Sequence, residues 1–182
     1  MRWCLVFVVV VVASGPGCGC GQGVPLEGAC VPPEGAVVVN NEGWAHKNDP
    51  VDHVYESNPP ASGPHYPVWA SWGVHADDDV VERGQWVHNL EHGGIVLLLG
   101  DSASDEAEEE LRAGFDDIPG DDECGHSRTL LTLDPELDDP VAVVAADTLL
   151  VPGLLDEGVL TRERIVEFAL ACRNHSHESI CY

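Results

Sequence analysis

The sequence predicts an α+β domain: a small mixed sheet with two helices, preceded by an irregular half rich in aromatic residues and proline. Three observations carry that reading. Short, continuous apolar runs are bounded by turn residues, two stretches have helical capping and spacing, and the segment from Glu42 to Gln85 has neither pattern.

The elements are justified in chain order. Ala36 to Asn40 (AVVVN) is a short candidate strand. In the next stretch Trp44, Tyr55, Tyr66, Trp69, Trp72 and Trp86 accompany Pro59-Pro60, Pro64 and Pro67, which stiffen the backbone into extended loops and exclude long helices. After Gly93-Gly94, Ile95 to Leu99 (IVLLL) reads as a buried strand. Ser104 to Phe115 is an acidic helix with Ser104 as N-cap and Asp105 and Glu106 in its first turn, where the helix dipole favours negative charge. Thr129 to Leu133 and Val141 to Ala145 are further strands, and Thr161 opens a second helix running to Cys172. Ile165, Val166, Phe168, Ala169 and Cys172 lie on one face of that helix, so the two helices are expected to cover one face of the sheet.

The N-terminus predicts export. Arg2 precedes the unbroken apolar run Leu5 to Ala13, too short to span a bilayer but suited to the core of a signal peptide over residues 1–17. Small residues then lead to Cys18, resembling the acylation site of bacterial lipoproteins, with Cys20 as the alternative. Residues 18–35 read as a Gly/Pro-rich tether, stapled at Cys30, and residues 36–182 as a single globular domain. The expected location is extracytoplasmic, in the cell envelope and anchored through the N-terminal lipid, or secreted without it. Cys30, Cys124, Cys172 and Cys181 read as two disulfides. Three connectivities are open, and we favour Cys124–Cys172 with Cys30–Cys181.

Asp and Glu total 32 against 8 Lys and Arg, a formal net charge of −24. That field repels nucleic acid and anionic lipid, excludes DNA or RNA as partners, and attracts cations. The acidic runs contain no calcium-loop spacing. There is no Gly-x-Ser-x-Gly elbow and no phosphate loop.

Two blocks are hard to explain by packing alone. In Asn58 to Pro67 (NPPASGPHYP), prolines on both sides hold His65 in a stiff loop. In Val87 to Gly94 (VHNLEHGG), His88 and His92 share one face if the segment is helical, where four residues advance about 6 Å. In an extended chain they would stand about 13 Å apart, too far for one ion. The string His-x-x-Glu-His is also the pattern of inverted zinc peptidases, in which Glu91 would activate water. The glycines that follow at once shorten any such helix.

Together these blocks resemble the bacterial family called domain of unknown function 3105, closely over about residues 53–99 and more weakly to about 170. The family is uncharacterised. The resemblance implies a shared fold and a shared site around His65, His88, Glu91 and His92, and no established reaction. This chain departs from the family's pattern at His75 and in its tail RNHSHESICY.

The function expected is a metal-binding domain with His65, His88 and His92 as ligands. Glu91 would be a fourth ligand, or a partner orienting an imidazole. Imidazole with carboxylate suits zinc or copper, and with Met1 the lone methionine a thioether site is excluded. The alternatives are a metal-dependent hydrolase using Glu91 as base and a non-enzymatic ligand or protein interaction module. His53 is a possible extra ligand. His126, His175 and His177 are read as disulfide neighbourhood and solvated tail.

Overall fold

The computed structural model describes residues 30–48, 53–75, 79–155, 158–178 and 180–181. The expected signal segment, Cys18 and Cys20 lie outside the described residues, as does most of the expected tether.

Six strands form one mixed sheet: β1 (Val37–Val38), β2 (Gly73–Val74), β3 (Ile95–Leu99), β4 (Thr129–Leu133), β5 (Val141–Ala145) and β6 (Thr148–Leu150). They lie in the order β1-β6-β5-β3-β4-β2. β3 runs parallel to β4 and antiparallel to β5, and β2 joins β4 in parallel at the far edge. Because β3 and β4 are parallel, the chain crosses over between them through helix α2 (Asp105–Asp117). Ser104 caps α2 by accepting from the Ala107 amide at 3.2 Å. The third helix in chain order, α3 (Arg162–Cys172), packs beside α2.

The sheet is covered on both faces, and the two covers differ. On one face Ile95, Leu97, Leu131, Val141 and Val143 meet Leu111 of α2 and Ile165 and Phe168 of α3. On the other, Val96, Leu98, Leu130, Ala142 and Val144 meet Trp86, Val87 and Leu90 of helix α1 (Arg83–Glu91), with Trp44, Tyr55 and Trp72 of the irregular half. The two expected helices, α2 and α3, thus share one face, and a third that the sequence did not predict, α1, lies on the opposite face. The sequence hid it for a physical reason. Seven of its nine residues, Gly84 and Trp86 to Glu91, are buried, so no polar stripe marks a helical period.

Cys30 pairs with Cys172 and Cys124 with Cys181, with Cα atoms 4.7 and 5.1 Å apart. The favoured connectivity is thus corrected. Cys172 ends α3 facing the core beside Cys30, which is itself buried. Beyond Cys172 the chain turns back along the end of α1, where the Asn174 amide donates to Gly93 and the Glu178 amide to Glu91, and so reaches the 121–126 turn.

Candidate metal centre

Helix α1 delivers three polar side chains to one point. Its N-terminus is anchored by Arg83, whose guanidinium makes a two-pronged ion pair with Asp134 just beyond β4, at 2.8–3.1 Å. Asn89, wholly buried, donates to the Ala70 carbonyl and accepts from the Ala70 amide, each at 2.9 Å. That double bond seats Trp69 edge-on against His88 and His92. The helix stops at Gly93, where φ is +82° and the backbone of Asn174 lies 3.0 Å from where a Cβ would sit. Residues 88–92 are therefore one helical turn, the conformation in which the two histidines can meet.

The proline-flanked loop folds over that turn. Tyr55 fixes it by donating its hydroxyl to the Pro64 carbonyl at 2.7 Å while its ring packs on Gly63. Burial, with the negative charge of Glu42, pushes the Tyr55 phenol up to about 12, so it stays a donor. His65 is fully buried, and its Nε2 stands 3.1 Å from Oε2 of Glu91. The same carboxylate oxygen lies 3.9 Å from Nε2 of His88 and 4.0 Å from that of His92. The two helical imidazoles bring their Nε2 atoms to 2.8 Å of each other.

A fourth imidazole, which sequence reasoning missed, is His46. Its Nε2 is 3.3 Å from the same Glu91 oxygen, and its ring stacks on His88 and meets His65 edge-on. It arrives on an extended segment held to the loop by the Lys47 amide donating to His65 and the His65 amide donating to Ala45. The available signal was period two: Trp44 and His46 share a face of that segment, and both reach the site. With a side chain 51% exposed, His46 stands at the mouth, whereas His65, His88, Glu91 and His92 are all buried.

The nitrogens turned away from the centre define the chemistry. Nδ1 of His65 donates to the Gly63 carbonyl at 2.9 Å, and Nδ1 of His88 to Tyr66 at 2.6 Å. Nδ1 of His92 donates to Glu178 at 3.1 Å. A carbonyl only accepts, so each neutral ring carries its proton on Nδ1 and turns an Nε2 lone pair inward. Burial lowers the pKa of His65 and His88, the latter helped by His92 alongside, and so favours those neutral forms. Two lone pairs 2.8 Å apart beside a carboxylate repel unless an electrophile lies between them. Imidazoles oriented by backbone acceptors are the ordinary surroundings of a metal ion. The group His46, His65, His88 and Glu91 has one donor atom from each within 4.8 Å of all the others and can hold a metal ion. A second group, of Glu91, His92 and Glu178, meets the same condition.

The remaining candidates fall elsewhere. His53 is 2.9 Å from Glu42, and His126 donates from Nδ1 to the Cys124 carbonyl in the disulfide turn. His177 stacks on Trp44, and His75 contacts Asp79. Among the described residues no helix is long and apolar enough to cross a membrane. No curated protein and no solved structure matches the chain. Residues 46–178, well over half the chain and the span holding every residue of the His/Glu centre, match the family described as "protein of unknown function (DUF3105)", and the chain belongs to that family.

Proposed function

We propose that the protein is a metal-binding domain, exported and lipid-anchored at Cys18 (Cys20 in the alternative). It holds one divalent ion, zinc or copper, at the centre of His65, His88, His92 and Glu91; His46, His65, His88 and Glu91 gather their donor atoms at one point, and His92 stands beside it against His88 and Glu91. The observation that carries this reading is the inward convergence of Nε2 atoms whose Nδ1 atoms are tied to the carbonyls of Gly63, Tyr66 and Glu178. The 2.8 Å between the nitrogens of His88 and His92 is close enough for both to turn to one ion, though shorter than the roughly 3.3 Å that two bonds of about 2.0–2.1 Å at the tetrahedral angle would set. The position of Glu91, amid four imidazoles, supports a ligand role over that of a base acting on a separate water. The net charge of −24 gathers cations around the domain.

Metal analysis of full-length protein purified from its native compartment tests the reading. One equivalent of zinc or copper is expected in the wild type and none in His65→Ala or His88→Ala. Stoichiometric metal in both variants would move the site elsewhere. Intact mass of membrane-extracted protein tests the anchor, and an unmodified soluble mature form would overturn it.

A further inference from the structure

The C-terminal segment packs against the end of α1 beside the centre. The Glu178 amide donates to the Glu91 carbonyl at 3.0 Å, and the Glu178 carbonyl accepts from Nδ1 of His92. Asn174 packs on Gly93, and His177 stacks on Trp44. Arg128, paired with Asp121 and buried, donates from one nitrogen to the carbonyls of both His92 and Ile180. This guanidinium joins the end of α1 to the segment. Among its described residues the segment has no helix or strand. Its one covalent fastening beyond α3 is Cys124–Cys181, with Cys181 exposed and Cys124 half-buried. The other disulfide, Cys30–Cys172, is buried, with cysteines 4% and 1% exposed.

We infer that Cys124–Cys181 is a redox latch on the metal centre. A thiol reductant reaches this bond and not Cys30–Cys172, because attack needs access to a sulfur. Opened by a dithiol, the bond takes up two electrons and two protons to give two thiols, while the dithiol closes to its own disulfide. The freed segment withdraws the carbonyl that orients His92, and the ion is held less tightly. Outer partners of this kind typically contribute about 10–100-fold to metal affinity. The inference rests on the metal-binding reading.

The test uses full-length protein loaded with zinc and treated with graded amounts of a phosphine, which reduces the disulfide while its phosphorus takes oxygen from water. Peptide mapping is expected to find Cys124 and Cys181 free while Cys30–Cys172 survives, with the zinc Kd raised about 10–100-fold at that point. The double variant Cys124→Ser/Cys181→Ser should bind zinc equally weakly without reductant. Arg112→Ala, on the outer surface of α2 away from the segment, should leave Kd unchanged. Unchanged affinity in the double variant, or earlier opening of Cys30–Cys172, would overturn the latch while leaving the metal site standing. A wild-type protein that takes up no zinc or copper would sink the site and the latch together.

Discussion

The two faces of the sheet solve the same burial problem by opposite means. On the α2/α3 face, side chains such as Leu97, Phe168 and Ile165 exclude water, and the backbone satisfies itself within regular helices. On the α1 face the irregular chain pairs its own segments outside any regular element, as His65 does with Ala45 and Lys47. It is held by single polar anchors: Asn89 on Ala70, Tyr55 on Pro64, Arg83 on Asp134. The first face stabilises and the second positions. Buried polar groups cost free energy unless each has a partner, and on the α1 face four of them turn acceptors toward one another.

Truncation on the apolar face should give the largest loss of stability. Phe168→Ala removes a wholly buried ring and is expected to destabilise by about 3–5 kcal/mol in chemical denaturation, with metal stoichiometry of the folded protein unchanged. A loss under about 1 kcal/mol would mean that this face is not the main source of stability.

His88→Ala should do the reverse. The wild-type domain is expected to gain about 4 kcal/mol from metal at a thousandfold excess over Kd, and the variant to gain nothing. A scan of Tm against metal concentration reads this directly, and a metal-dependent Tm that survives in the variant would erase the functional difference between the faces.

Between these two and the surface lies Gly93→Ala. At φ +82° an alanine is strained by about 1–2 kcal/mol, and its Cβ presses on the backbone of Asn174. Loss of stability and weaker metal binding should appear together, because the same residue ends α1 and seats the C-terminal segment.

Acid should act on the α1 face through His65 and His88. Burial lowers their pKa from the ordinary 6.5, so around and below that value the unfolded chain binds protons that the folded one refuses. The metal-free protein is expected to hold this share of its stability above about pH 6.5 and to lose it as pH falls below that value. In His65→Gln/His88→Gln the slope of stability against pH over that range should flatten, and an unchanged slope would place the acid sensitivity elsewhere.

Arg112→Ala should do least. The exposed pair with Glu108, one helical turn away on α2, is expected to contribute under about 0.5 kcal/mol, and a larger change would show that the outer surface of α2 is not merely solvated.

The sequence by itself determined the regular parts. Strands β3, β4 and β5 are unbroken apolar runs, and α2 and α3 carry polar caps and one-sided stripes, because those segments face a sheet on one side and water on the other. It also pointed to His65, His88, Glu91 and His92 as candidates for one site, because a stiff loop and a five-residue string present imidazoles rather than fill volume. Helix α1 was not legible, being buried all round. Nor was the role of His46, which rests on one extended segment pairing with a loop 19 residues on. Cysteine spacing named the four partners of two disulfides but not the pairing, which follows from where the chain turns after α3. Local pattern records what a residue's own segment needs. Which segments meet is settled by burial and hydrogen bonding between parts of the chain far apart in sequence, and in this protein only the tertiary structure decided it.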